Sequence, residues 1–502
     1  MHNLIKDILT SKVYDVATVT PLDKMQRLSK RLNVNIWLKR EDLQPVFSFK
    51  LRGAYNAIAQ LDVAKRTLGV VTASAGNHAQ GVALSGQNLN IPVTIVMPIT
   101  APQLKVQACE SRGAKVILTG NTFDDACAYA NKLCKEQGLS FVHPFDNLNV
   151  IAGQGTIGKE IYEQNAHIDA IFIPIGGGGL AAGIATYIKF IAPNCKVIGV
   201  EPVDSAAMYE SIKKGERVEL AQVGGFADGV AVKLVGMTTF ELCREHLDEI
   251  ILVNTDEICA ALKDIFDDTR AIAEPAGALA VAGAKKYLKK YPEQNFKNIA
   301  TILSGANINF DRLRYVAERA EIGEKSEAIF AISIPEEIGS FRRFLDYIGN
   351  RSITEFNYRY TNESCATIFV GVHCNDGESE KNIIMHALQG ANFKVLDLTD
   401  NEIAKSHIRY MIGGKTTQIK HERLLCFKFP ERPNALKQFL AAMQSHWNIT
   451  LFNYRNHGAD YGRVLIGMEI VDTELDELNK FISKLGYDCT DETDNPAFTL
   501  FL

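Results

Sequence analysis

Five short segments bring together the side chains of a carbonyl-dependent catalyst: a lysine, backbone-rich glycine turns, small polar groups and an amide. The first reads Lys39-Arg40-Glu41-Asp42-Leu43-Gln44-Pro45-Val46-Phe47-Ser48-Phe49-Lys50-Leu51-Arg52-Gly53-Ala54 and sets Lys50 between aromatic and small residues just before a predicted helix. A lysine flanked by apolar groups can be held desolvated, which lowers its pKa and suits Schiff-base chemistry. Taken alone, Lys50 also reads as an exposed lysine, as most lysines are.

The second segment, Ser74-Ala75-Gly76-Asn77-His78-Ala79-Gln80-Gly81, follows a strand and opens a helix. Small residues with free N–H groups at a helix N-terminus make an anion site suited to an amino-acid carboxylate, and Asn77 adds an amide for a cofactor oxygen. An ordinary N-cap with a tight turn is the alternative. In the third segment, Gly176-Gly177-Gly178-Gly179-Leu180, four glycines let several N–H groups converge on a phosphate, with the helix dipole adding to the attraction. A flexible loop is the alternative there, and the GxGxxG dinucleotide fingerprint is not met. The remaining segments are Glu274-Pro275-Ala276-Gly277-Ala278 and Leu303-Ser304-Gly305-Ala306-Asn307. Ser304, at a strand end, can donate to an aromatic ring nitrogen; either segment alone is an ordinary turn.

From about residue 35 to 305, short β-branched runs alternate with longer amphipathic ones, the pattern of parallel α/β structure. Strands are predicted at Ile36–Lys39, Val70–Thr72, Val93–Met97, Val116–Leu118, Ile171–Ile175, Val197–Val200 and Ile299–Leu303. Helices are predicted over Asn77–Gln87, Gln103–Ser111, Phe123–Glu136 and Leu180–Ile191. Open parallel sheets gather loops and helix N-termini at the strand C-terminal ends, where catalytic groups sit.

Beyond about residue 322 the chain repeats itself with an offset of about 95 residues. Ile334-Pro335-Glu336-Glu337-Ile338-Gly339-Ser340-Phe341 answers to Phe429-Pro430-Glu431-Arg432-Pro433-Asn434-Ala435-Leu436, and Ile353-Thr354-Glu355-Phe356-Asn357-Tyr358-Arg359 to Ile449-Thr450-Leu451-Phe452-Asn453-Tyr454-Arg455. Each copy reads strand, Pro turn, helix, strand, hairpin, strand, which predicts two tandem α+β ferredoxin-like modules. The expected domains are 1–322, 323–418 and 419–502.

The bulk properties narrow the function further. A chain of 502 residues, 46% hydrophobic and with a formal charge of −5, gives no basic footprint for nucleic acid. No run of eighteen apolar residues appears and Lys6 and Asp7 break the N-terminal apolar stretch, so neither a membrane span nor a signal peptide is expected and the reading is cytoplasmic. The ten cysteines form no CxxC pair, and no metal-ligand cluster is evident.

In this order, the five segments resemble the threonine dehydratase branch of the fold-type II pyridoxal phosphate (PLP) enzymes. The resemblance extends through Val200-Glu201-Pro202, Phe226-Ala227-Asp228-Gly229-Val230-Ala231-Val232 and the C-terminal repeat, so it covers essentially the whole chain. It implies a catalytic domain of two parallel α/β subdomains, like the tryptophan synthase β subunit, followed by two ACT-like regulatory domains. It further implies that Lys50 carries PLP as a Schiff base with Phe49 beside the ring, and that Asn77 bonds the phenolic oxygen. Gly176, Gly177, Gly178, Gly179 and Leu180 would bind the phosphate, Ser304 would face the pyridine nitrogen, and Ser74, Ala75, Gly76, Asn77 and His78 would hold the substrate carboxylate. A serine at the ring nitrogen leaves the pyridine unprotonated, a weaker electron sink than the Asp-partnered ring of many PLP enzymes.

The implied reaction is deamination of L-threonine to 2-oxobutanoate and ammonia, with L-serine as a second candidate substrate. Lys50, once displaced by substrate, removes the Cα proton; the group that protonates the leaving hydroxyl is not identified. The resemblance also implies isoleucine as inhibitor, valine as opposing effector and a homotetramer. Phe356, Tyr358, Phe452 and Tyr454 are candidate effector contacts, with core packing as the alternative. Two rivals stand: another fold-type II reaction, such as that of a serine dehydratase, serine racemase, threonine synthase or cysteine synthase, and a non-catalytic sensor. The tandem modules argue against most of the first group, and an intact Lys50 against the second.

Overall fold

The computed structural model describes residues 2–335, 344, 346–349, 351, 353–359, 365–375, 377–410, 421–430, 442, 447–455 and 461–501. The chain divides into two compact units, Met1–Asn309 and Phe310–Leu502.

The first unit holds two sheets. One has the order β1 (Leu22–Lys24), β2 (Asn35–Arg40), β10 (Asn298–Leu303), β7 (Ala170–Pro174), β8 (Lys196–Pro202), β9 (Glu249–Val253). The other runs β5 (Lys115–Leu118), β4 (Val93–Met97), β3 (Val70–Ala73), β6 (Ser140–Phe141). All pairings are parallel except that of β1 with β2. Strands β3 and β7 are buried along their whole length, as parallel strands covered on both faces must be. All seven predicted strands and all four predicted helices are present; β1, β6 and β9 are additional.

Local sequence sets where the helices start. Thr122 and Asp125 form a reciprocal capping box on Phe123–Gln137, and Asn254 with Glu257 does the same for Thr255–Thr269. Asn147 caps Leu148–Gln164 by accepting from the Asn149 and Val150 amides. That helix and Gly179–Ile191 approach closely because Gly183 and Gly155 meet where a Cβ on Gly183 would lie 2.4 Å from the Ile151 carbonyl oxygen. Their apolar faces, with Phe49 and Leu180, belong to the core that includes β7.

The second unit carries the predicted repeat as two four-stranded antiparallel sheets. The first has the order β12 (Ile353–Arg359), β13 (Cys365–His373), β11 (Glu327–Pro335), β14 (Lys394–Asp397). The second, β16 (Asn448–Arg455), β17 (Tyr461–Glu469), β15 (Glu422–Pro430), β18 (Cys489–Asp491), repeats that order strand for strand. Even an irregularity recurs: the register shifts between Ile353 and Glu355 in one copy and between Ile449 and Leu451 in the other. Order 2-3-1-4, with a helix between the third and fourth strands of each copy (Gly377–Gly390 and Leu475–Leu485), is the ferredoxin-like arrangement. Ile329 and Phe369 of one sheet and Leu424 and Leu465 of the other share one core. The backbones of Phe356, Tyr358, Phe452 and Tyr454 lie at matching positions on β12 and β16; their side chains lie outside the described residues.

Candidate active site

Five strands of the first unit deliver their C-terminal ends to one place. Lys50 follows β2, Ser74 follows β3, Pro144 follows β6, Gly176 follows β7 and Ser304 follows β10. This is where an open parallel sheet leaves loops and helix N-termini free to bind.

Lys50 begins the helix Lys50–Ala59 and donates from Nζ to the Pro144 carbonyl at 3.2 Å. Its nitrogen lies 5.2 Å from the Phe49 ring centroid. Burial pushes the Lys50 ammonium down to about 8, against an opposing pull from the Glu274 carboxylate. The helix itself is pinned two residues on. Arg52 is fully buried, bonded to Glu41 at 2.8 Å and to Glu160 at 2.6 Å, and Lys39 meets Glu160 at 2.6 Å. Burial opposes the Arg52 charge, but the two carboxylates outweigh it and raise its pKa further.

Ser304 is tied to the same segment. Its carbonyl accepts from the Phe49 amide at 3.2 Å, Ser48 pairs with Gly305, and the Phe47 carbonyl accepts from the Ala306 amide at 2.9 Å. The Ser304 hydroxyl makes a long 3.4 Å contact to the Ala276 carbonyl, so it can be redirected at small cost.

The glycine turn packs without room for side chains. A Cβ on Gly177 would lie 2.2 Å from the Phe145 ring, and Gly178, at φ +94°, faces Met208 and Thr239. The helix that follows, Gly179–Ile191, has no side-chain cap, which leaves its leading amides to an external acceptor. Thr239 donates its hydroxyl to the Gly177 carbonyl at 2.6 Å.

At the head of the helix Asn77–Leu89, Gly76 likewise lacks a side-chain cap, and a Cβ there would meet nothing within 4 Å. The Ser74 hydroxyl accepts from the Gly76 amide at 3.2 Å. His78 donates from Nε2 to the Val142 carbonyl at 3.0 Å, while its buried Nδ1 and the buried Ser48 hydroxyl have no hydrogen-bond partner. Burial, then the Lys50 charge, lowers His78 to about 3, so it is neutral at pH 7. Asn77 bonds Glu274 Oε1 through Nδ2 at 2.7 Å.

These groups fit a phosphate-bearing aromatic aldehyde. There is a desolvated lysine for the carbonyl, an uncapped glycine cradle for the phosphate, an amide and a hydroxyl for ring heteroatoms, and a second uncapped helix for a carboxylate. Lys50, the segment Ser74–His78, the turn Gly176–Leu180 and Ser304 lie after the strands β2, β3, β7 and β10, and Glu274 stands at the start of the helix Pro275–Lys290.

The pyridoxal-phosphate dependent enzyme family matches residues 13–305, and the C-terminal regulatory domain of threonine dehydratase matches twice, at 318–408 and 413–502. The chain is 53% identical over 506 residues to a biosynthetic L-threonine dehydratase of Burkholderia multivorans, covering 100% of this chain and 99% of that protein. It is 52% identical to the one of Escherichia coli, over 99% of this chain and 96% of the relative. The chain belongs to the biosynthetic threonine dehydratase family. Among solved structures it resembles a processed threonine deaminase isoform 2 of Solanum lycopersicum, with a TM-score of 0.63, 52% identity, and coverage of 64% of this chain and 88% of that one. It also resembles maize serine racemase, with a TM-score of 0.60 at 29% identity, covering 63% of this chain and 96% of that one.

The threonine dehydratase fold thus has a PLP-dependent catalytic unit and regulatory modules in tandem. Several residues that build the site carry no motif of their own. In the turn His143-Pro144-Phe145-Asp146-Asn147, Pro144 receives Lys50, Phe145 fills the space beside Gly177, and Asp146 accepts from the Met237, Thr238 and Thr239 amides. His143 Nδ1 accepts from the Asp146 amide at 2.7 Å and shapes that turn. The two-residue strand β6 before it is too short to register in a hydrophobic pattern. Glu274 was visible as the first residue of a turn; its partnership with Asn77 was not. Among the described residues no cluster of His, Cys, Asp and Glu could hold a metal ion, and no helix is long and apolar enough to cross a membrane.

Proposed function

We propose that this protein dehydrates and deaminates L-threonine to 2-oxobutanoate and ammonia, with PLP carried by Lys50. The observation that supports this most directly is the convergence of Lys50, Asn77, the Gly176–Gly179 turn and Ser304 at strand ends of two parallel sheets. Bound PLP supplies an electron sink that makes the substrate Cα proton removable and the β-substituent expellable. Gly176 to Gly179 and Leu180 would hold its phosphate, Phe49 would lie beside its ring, Asn77 would meet its phenolic oxygen and Ser304 its ring nitrogen. The segment Ser74 to His78 receives the substrate carboxylate at the head of an uncapped helix. Lys50 Nζ would take the substrate Cα proton; its lowered pKa makes the neutral amine accessible near neutral pH.

The regulatory modules, with proposed limits 323–418 and 419–502, bind isoleucine as inhibitor and valine as opposing effector. An effector that binds two conformations unequally biases the catalytic unit by its differential affinity alone. Phe356, Tyr358, Phe452 and Tyr454 are the proposed contacts, the assembly a homotetramer and the compartment the cytoplasm. The test is 2-oxobutanoate formation from L-threonine, with and without L-isoleucine. Turnover suppressed by isoleucine supports both halves; turnover indifferent to it removes the effector assignment; no turnover with PLP bound removes the substrate assignment.

A further inference from the structure

Asn77 is held at both ends of its amide. Its Nδ2 donates to Glu274 Oε1 at 2.7 Å, and its Oδ1 accepts from Asn307 Nδ2 at 2.8 Å. Asn307 Nδ2 also donates to the Val46 carbonyl at 2.8 Å, in the loop that leads to Lys50. This arrangement admits one orientation. A flipped Asn77 would face its oxygen to a carboxylate and its NH2 to another NH2, acceptor against acceptor and donor against donor.

Glu274 is itself constrained. It is 4% exposed, its amide donates to the Gly305 carbonyl at 3.1 Å, and a Cβ on Gly305 would lie 2.4 Å from its Oε1 and 3.2 Å from Asn77 Nδ2. Holding a carboxylate in such a place costs free energy that hydrophobic packing would not. Three titratable groups face Lys50 from different elements: Glu274 from the start of Pro275–Lys290, His78 from Asn77–Leu89 and His143 from the turn after β6. Burial lowers both histidines toward the neutral form, so the charge that favours a cation at Lys50 is that of Glu274.

We propose that Glu274 is a positioning residue for the cofactor: with Asn307 it fixes the Asn77 amide so that an Nδ2–H is what would meet the phenolic oxygen. From the same buried cluster, its carboxylate also favours a cation at Lys50. This rests on the reading that Lys50 carries PLP. Glu274→Gln keeps an oxygen for Asn77 and removes the charge; Glu274→Asp keeps the charge and shortens the reach.

The experiment titrates the visible absorption band of bound PLP against pH in the full-length wild type and both variants, and measures each PLP dissociation constant. In Glu274→Gln the deprotonation midpoint falls by about one pH unit or more, or enters the accessible range from above it. In Glu274→Asp the midpoint stays near the wild-type value while PLP binds about tenfold more weakly, as for one lost hydrogen bond. A Glu274→Gln band that titrates like the wild type overturns the proposal. Should that variant not fold, unchanged PLP affinity in Glu274→Asp overturns it instead. A wild type that shows no visible band with PLP overturns the cofactor reading beneath, a failure distinct from either of these.

Discussion

Thr239 holds the carbonyl of Gly177 at 2.6 Å, and with it the peptide that turns the glycine cradle. The threonine stands at the head of the helix Met237–His246, whose leading amides all converge on Asp146. Replacing Thr239 by Val leaves a buried carbonyl without its donor, worth about 1–3 kcal/mol. The expected outcome is PLP affinity weaker by about tenfold or more, with Thr239→Ser restoring most of it, read by equilibrium dialysis of the cofactor.

Gly177 and Phe145 compete for one volume. Gly177→Ala would set a methyl 2.2 Å from the Phe145 ring, well inside contact distance, so the turn must open. Cofactor retention is expected to collapse in Gly177→Ala and to return in part when Phe145→Ala is added. Absorbance of the dialysed proteins in the visible band measures both.

The amine of Lys50 should govern how fast cofactor-free protein takes up PLP. Because its pKa is lowered to about 8, the nucleophilic neutral form grows about tenfold per pH unit below that value and saturates above it. Reconstitution rates are therefore expected to climb to about pH 8 and then level. A rate still climbing steeply at pH 10 would show an unperturbed lysine. Lys50→Ala should abolish turnover.

Arg52 bridges two buried carboxylates, Glu41 and Glu160, the second of which also meets Lys39. Arg52→Leu leaves buried Glu41 without its guanidinium partner and Glu160 with Lys39 alone, and loss of one partner of such a cluster costs about 3–5 kcal/mol. The first transition in urea unfolding of the full chain should move to lower denaturant, and Lys50, two residues away, should lose its Pro144 contact. Arg52→Lys, which lacks the planar fork, is expected to recover only part of the loss.

Much of this was legible before any coordinates. The runs Val70–Thr72, Val93–Met97 and Ile171–Ile175 are buried strands because β-branched residues bounded by glycine and proline have few other stable homes, and each was placed within a residue or two. The copies around Ile353 and Ile449 declared a repeat that the sheets reproduce, down to a shared register shift. Strands β1, β6 and β9 escaped notice. Two of them are no longer than three residues, and Glu249–Val253 follows a charged helix end without a clear boundary.

The sequence by itself determined the chemical inventory: a lysine among apolar neighbours, glycines and uncapped helix starts directly after strands, and two copies of one regulatory module. These are local properties, written in residue type and in periods of a few residues. The tertiary structure alone decided which partners complete them. Lys50 reaches a carbonyl 94 positions away, Thr239 one 62 positions away, and Asn77 a carboxylate 197 positions away. Such pairings follow from the order β2-β10-β7 in one sheet and β3-β6 in the other, which brings distant loops to the same edge. A hydrophobic pattern says that a strand is buried, but not which strand lies beside it.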